Sequence, residues 1–274
     1  MKSKDMIPTV LIIAGSDPTG GAGIQADLKT LTDLGVYGAA VITCITVQNS
    51  HGVSRTQPLA PDLVRDQILA VLSDHHVTHI KIGMIGTAGI AAVIEEILQE
   101  FTGQVVYDPV LSATTGHGLA GPDALAAMKQ LLLPRVTVLT PNLPELTKIT
   151  GRKIEKREDI FQATQTLFTR YPALQCVVVK GGHGRTTAGT MTDYCFLRHD
   201  QRRIRHPVID TKNSHGTGCT LASAFCAYHL KTRSFEQSFT QSVEYLQRLL
   251  VESAPYKIVQ NVRGHGPLLH GCKK

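Results

Sequence analysis

The stretch TVLIIAGSDPTGGAGIQADLKTLTDL, Thr9 to Leu34, decides the fold. Its apolar run Thr9 to Ala14 predicts a strand, GSDPTGGAG a glycine-rich turn, and the spacing of apolar residues from Ile24 to Leu34 a helix. A strand with no polar alternation is buried on both faces, as in a parallel sheet covered by helices. The same unit recurs down the chain. Strands are predicted over Ala39 to Val47, His79 to Gly83, Gln104 to Tyr107, Val136 to Leu139 and Cys176 to Val179. Helical patterns lie between them near Pro61 to Ser73, Thr87 to Gln99, Pro122 to Leu133, Pro144 to Thr150 and Arg157 to Phe168. A hairpin (Thr190 to Leu197, Arg202 to Ile209) then breaks the alternation, and two helices, about Gly218 to Leu230 and Phe235 to Ser253, follow it. The expected class is α/β: one domain over residues 1–274 around a single, mainly parallel, doubly covered sheet.

Composition removes other classes. With 274 residues, 42% of them hydrophobic, and 28 Lys+Arg against 22 Asp+Glu, the chain can bury a large core. Lys and Arg are dispersed apart from short runs such as Arg202, Arg203 and Arg205, and aromatics make up only 5%, so no nucleic-acid face is expected. The net charge of +6 suits a small anionic substrate. No apolar window is long enough for a membrane helix, and MKSKDMIPTV lacks the apolar stretch of a secretory signal, so a cytoplasmic location and no membrane partner are expected. The six cysteines (Cys44, Cys176, Cys195, Cys219, Cys226, Cys272) form no CxxC and are expected to be reduced thiols.

In open α/β sheets ligands bind beyond the carboxyl ends of the strands. That singles out the turns GSDPTGGAG, TVQN, KIGM, YDPV and TPNLPE. The segment TKNSHGTGCT, Thr211 to Thr220, puts Gly216 and Gly218 at the entrance of an apolar helix. Backbone amides and the helix dipole there can receive phosphate; an ordinary loop-to-helix junction capped by Ser214 is the alternative. Cys219, in the first helical turn, is expected to have a lowered thiol pKa.

Two glycine patterns are decoys. GxGxxA from Gly21 and GHGLAG, Gly116 to Gly121, are each followed by a strand whose end lacks the acid that holds a ribose, and neither loop carries the Lys-Ser/Thr of a P-loop. Asp108 and Glu145 lie just past strand ends, where carboxylates either hold Mg²⁺ or cap helices. Asp74, His75, His76 and His79 read as a solvated turn without function, and Lys180 either meets a nucleotide phosphate or merely ends its strand.

Taken in order, AGSDPTGGAGIQADLKT, VITCITVQN, KIGM, YDPV, TPNLPE, VKGGH and TKNSHGTGCTLASA closely resemble the hydroxymethylpyrimidine/phosphomethylpyrimidine kinases of thiamine biosynthesis, within the ribokinase-like family. The likeness runs from about Thr9 to GHGPLLH. It implies a three-layer α/β/α ribokinase-like fold and two phosphoryl transfers from ATP with Mg²⁺. The first goes to 4-amino-5-hydroxymethyl-2-methylpyrimidine, the second to its monophosphate. By matching positions, Gly15, Asp27, Gln48 and Met84 would line the pyrimidine pocket, with Asp27 on the hydroxyl or exocyclic amine. Asn142, Lys180 and Lys212 would face the nucleotide, and Asp108 and Glu145 the metal. Gly216, Thr217, Gly218 and Cys219 would form the anion hole, with Cys219 as the base for the alcohol. A homodimer is likewise implied.

Two departures stand out. Relatives follow the DPV strand with Met and a Lys-Ser/Thr-Gly flap, whereas this chain reads LSATTGHGLAG with Thr114 near the usual lysine. The flap cysteine of relatives that also phosphorylate pyridoxal is missing between Leu111 and Gly121. A pyridoxal kinase and a catalytically silent pyrimidine-binding protein are the competing readings.

Overall fold

The computed structural model describes residues 6–111, 122–181, 189–260 and 264–271. The flap LSATTGHGLAG from Ser112 onward, with Thr114 and the GHGLAG decoy, lies outside the described residues, as does Cys272.

The described strands are β1 (Thr9–Ser16), β2 (Tyr37–Asn49), β3 (Gly52–Pro58), β4 (Val77–Ile82), β5 (Gln104–Tyr107), β6 (Val138–Leu139), β7 (Cys176–Val179), β8 (Thr190–Leu197) and β9 (Gln201–Pro207). They form one sheet in the order β3-β2-β1-β4-β5-β6-β7-β8-β9. Pairing is parallel from β2 through β7. It is antiparallel at both edges, where β3 pairs with β2, β8 with β7 and β9 with β8.

Alternation along each central strand feeds two cores. Leu11 and Ile13 of β1 pack with residues of α2 (Pro61–Asp74), α3 (Ala88–Glu100), α5 (Leu143–Thr150) and α6 (Arg157–Arg170). Val10 and Ile12 pack with α1 (Gly23–Asp33), α7 (Thr217–Thr232) and α8 (Phe235–Ser253). The result is the three-layer α/β/α arrangement expected. The chain builds β1, β2 and β3 outward in one direction and then returns to lay β4 against the other side of β1. That reversal opens a crevice at the carboxyl ends of β1 and β4, the usual ligand position in such sheets.

Two local elements differ from the sequence reading. Strand β3 was not expected, because HGVSRTQP has no alternating apolar pattern; it forms by pairing Gly52 to Pro58 with the overhang Cys44 to Asn49 of β2. The helix predicted over Pro122 to Leu133 is α-helical only as α4 (Pro122–Ala127) and continues as a π-helical turn, Met128–Leu132, and a 3-10 turn, Leu133–Arg135. Pro134 has no N–H to donate and its ring crowds the carbonyl four residues back, so regular α-helix cannot run through it.

His79 is not in a solvated turn. It is fully buried on β4, and its Nε2 lies 3.0 Å from Nδ1 of His229 on α7. Burial pushes both imidazoles down to about 4, helped in His79 by His229 and Arg233 and in His229 by Arg233. Both are therefore neutral in the native state and titrate near 6.5 when unfolded. The stability they hold in place is present above about pH 6.5 and is lost as pH falls toward about 4. Urea unfolding should show wild-type protein losing roughly 2–4 kcal/mol more than His79→Gln between pH 7 and pH 4.5. Parallel pH profiles for the two proteins would contradict this assignment.

Candidate active site

The crevice between the ends of β1 and β4 is a cleft of about 240 Å³. Its walls carry Gly15, Gln48, Met84, Asp108, Asn142, Glu145, Lys180, Gly216, Thr217, Gly218 and Cys219. Eleven residues chosen from separate turns of the sequence thus meet in one cavity. Two others do not line it. Asp27 is fully buried on α1 and paired with Lys81, and Lys212 is exposed, its backbone carbonyl accepting a hydrogen bond from the Gly266 N–H.

One end of the cleft is lined by Gly15, Met84 and Gln48. A Cβ at Gly15 would lie 2.9 Å from the Cys44 sulfur and 3.5 Å from the Met84 sulfur, so a larger residue there would displace Cys44 and disturb Met84. Met84 is fixed through its carbonyl, which accepts from the Thr43 hydroxyl at 2.6 Å. Gln48 comes from the β2 overhang, where it pairs with Val53 of β3, another cleft residue.

Asp17, which the sequence reading passed over, organises the glycine-rich turn. Its carboxylate accepts from the Thr19 N–H and hydroxyl, the Ala22 N–H, and His215 Nε2 at 2.8 Å. Burial alone would raise its pKa, but the bonds from His215 and Thr19 hold it down at about 2. The signal was available, since an Asp directly after a strand and before Pro-Thr-Gly is a side-chain turn former. Through His215 this turn is tied to the entrance of α7.

That entrance begins at Gly216, in the left-handed region at φ 84°, with no side-chain cap. The alternative, a Ser214 cap, is not formed; the Ser214 hydroxyl instead lies 3.1 Å from His265 Nδ1. A Cβ at Gly216 would overlap the Gly21 carbonyl oxygen, so the two glycine turns touch backbone to backbone. The first intrahelical bond comes from the Thr220 N–H to the Gly216 carbonyl. The amides of the first turn thus lack helical acceptors and, with the helix dipole, suit an anion. A Cβ at Gly218 would sit 3.3 Å from Lys180 Nζ and 3.5 Å from an Asp108 carboxylate oxygen, so this position adjoins the charged wall.

The thiol of Cys219 overturns an expectation. Cys219 is half-buried in the cleft wall, and desolvation there pushes its pKa up to about 12, against the opposing influence of Lys81. Desolvation outweighs the helix entrance, leaving a neutral thiol instead of a resident thiolate base. Iodoacetamide at pH 8 should therefore alkylate Cys219 more than about a hundredfold more slowly than a free thiol, whose pKa is near 8.5. Alkylation at a free-thiol rate would restore the thiolate reading.

The charged wall is built from three strand ends. Asp108 follows β5 and accepts from Lys180 Nζ at 2.6 Å and from the Thr140 hydroxyl at 2.9 Å. Burial would raise its pKa, but Lys180 and Lys81 hold it below the ordinary value. Glu145 lies 3.9 Å from Lys180 and forms a reciprocal capping box with Asn142 at the start of α5. Burial and the Asp108 charge raise it to about 7 despite Lys180. The two carboxylates share Lys180 as their one direct ion-pair partner, and hard oxygen donors so placed fit a divalent cation shared with substrate phosphates.

Lys81 was also missed. It is the one charged side chain in the strand VTHIKI, and it lines the floor of the cleft.

Comparison with known proteins matches this architecture. The family model described as phosphomethylpyrimidine kinase matches residues 17–268. A hydroxymethylpyrimidine/phosphomethylpyrimidine kinase of Rhizobium meliloti is 41% identical over 267 residues, covering 97% of each chain. The crystal structure of phosphomethylpyrimidine kinase from Clostridium difficile 630 superposes with a TM-score of 0.77 at 33% identity, over 88% of this chain and 98% of that one. An ADP complex of Bacillus subtilis pyridoxal kinase superposes with a TM-score of 0.83 at 29% identity, over 96% and 97%.

Proposed function

This chain belongs to the phosphomethylpyrimidine kinase family, and from that membership and the cleft we infer that it is an ATP-dependent kinase of thiamine biosynthesis acting on hydroxymethylpyrimidine and then on its monophosphate. The observation that carries the reading is the meeting, in one cleft, of an apolar slot at Gly15 and Met84, an open helix entrance at Gly216, and the Asp108–Lys180 pair.

Each part has a task in phosphoryl transfer, which needs charge placement more than covalent chemistry. The slot holds the pyrimidine flat, and the Gln48 amide meets the adjacent donor and acceptor edges of an aminopyrimidine. The entrance amides of α7 receive the moving phosphoryl group. Lys180 neutralises charge on the nucleotide phosphates, and Asn142 fixes Glu145 beside it. Asp108 and Glu145 would hold Mg²⁺, which supplies Lewis-acid neutralisation of the phosphate oxygens when bound. Cys219 acts in the anion hole as a neutral thiol.

Gln48→Ala tests the assignment of the ring slot. Calorimetric titration should show hydroxymethylpyrimidine binding weakened by about 1–3 kcal/mol, the cost of a lost buried hydrogen-bonding pair. MgATP binding should be unchanged. Equal losses for both ligands would make Gln48 a structural residue of the β2–β3 ladder. Pyridoxal belongs in the same titration because the Bacillus subtilis pyridoxal kinase shares the fold.

A further inference from the structure

Beneath the ring slot lies a charge that the mechanism above leaves unused. Lys81 is fully buried on β4, and its Nζ donates to both carboxylate oxygens of Asp27 on α1, at 3.0 and 2.8 Å. Asp27 accepts a third hydrogen bond, at 2.7 Å, from the Ser223 hydroxyl of α7. The two partners stand differently to the cleft. Lys81 is a residue of the cleft lining and Asp27 is not, although neither side chain has accessible surface, so the carboxylate holds the ammonium just below the cavity wall.

The position is specific. A Cβ at Gly83 would lie 3.1 Å from Lys81 Nζ, which places the ammonium beside the glycine that follows β4. Its charge also reaches the entrance of α7, where it is the largest influence opposing the upward shift of the Cys219 thiol. An ammonium has three N–H donors. Among the described residues Asp27 is its only hydrogen-bond partner, which leaves one of the three donors unused. A buried ion pair is a poor source of stability compared with apolar side chains of the same volume. An ammonium kept at a cavity floor in this way calls for a chemical role.

We propose that Lys81 is a catalytic residue whose ammonium donates a hydrogen bond to the acceptor oxygen while that oxygen bonds to the γ-phosphorus. This rests on the kinase reading above. The hydroxymethyl oxygen forms the new P–O bond, and the bond from that phosphorus to the bridging oxygen breaks, its electron pair leaving with ADP. The hydroxyl proton passes to an oxygen of the transferred phosphoryl group, so Lys81 keeps its own protons and no thiolate is needed. Asp27 fixes the ammonium in place, and Ser223 couples that position to the helix bearing the anion hole.

The test uses Lys81→Met/Asp27→Asn, which removes both charges while leaving Ser223 a partner, and steady-state kinetics with hydroxymethylpyrimidine and MgATP. The expected result is a folded protein with KM for the acceptor within a few fold and kcat lowered by roughly 10²–10³, the loss seen on removing one preorganised donor. Methylammonium should restore part of the turnover of Lys81→Ala in a saturable way, which a packing role would not produce. A double variant within about threefold of the wild-type kcat overturns the proposal. A wild-type protein that does not phosphorylate hydroxymethylpyrimidine would instead sink the kinase reading. Should the variants fail to fold, the Lys81 ammonium ¹⁵N signal of the wild-type protein must shift on saturation with hydroxymethylpyrimidine. An unchanged signal also overturns the proposal.

Discussion

Gly216→Ala is expected to cut turnover by on the order of 10²-fold or more, the scale of a misplaced reacting group, while the protein stays folded. At φ 84° the residue occupies the left-handed region, which costs a side-chain-bearing residue about 1–2 kcal/mol. The larger effect is steric. The new Cβ would overlap the Gly21 carbonyl oxygen, so the glycine-rich turn and the α7 entrance must part. Parting them moves the first-turn amides away from the anion and strains the Asp17–His215 bond that ties the same two segments. Gly151→Ala is the matched control. It also has a positive φ, at 72°, but nothing lies within 4 Å of its added Cβ. It should lose about 1 kcal/mol of stability and no activity. Equal kinetic losses in the two variants would place the anion site elsewhere.

Asp108→Asn is expected to lower kcat by roughly 10²–10³-fold, as removal of preorganised electrostatics at a reacting centre does. The substitution keeps the shape and the Thr140 contact but removes the negative charge that anchors Lys180 at 2.6 Å. Lys180 is then left with Glu145 at 3.9 Å, and a divalent cation with one carboxylate. The Mg²⁺ concentration for half-maximal rate should rise, and hydroxymethylpyrimidine affinity should stay within about threefold, because Asp108 serves the phosphates and not the ring. A variant with unchanged metal dependence would show that Asp108 acts only by orienting Lys180.

The sheet and most of the cleft are legible in the sequence for a physical reason. Runs such as TVLIIA and CVVV are buried on both faces and therefore announce parallel strands, and strand ends in such sheets converge on one edge. What escaped depends on contacts between distant segments. Strand β3 exists only through its ladder to β2, and its own residues are mostly polar. Asp27 matched a family motif, yet the partner it meets is Lys81, 54 residues away. Of the pair, Lys81 belongs to the cleft lining and Asp27 does not. Cys219 was misjudged because position in a helix turn reports the dipole but not the burial, and burial dominated.

ADP release measured in parallel with hydroxymethylpyrimidine, its monophosphate and pyridoxal as acceptors, at fixed MgATP, tests the central claim most directly. The account predicts sustained turnover with both pyrimidines, the monophosphate being consumed as the diphosphate appears, and a kcat/KM for pyridoxal well below either. Turnover with pyridoxal alone would transfer the chain to the pyridoxal branch of the fold. No ADP release with any acceptor, in a protein that still binds hydroxymethylpyrimidine, would contradict the account and leave a silent pyrimidine-binding protein.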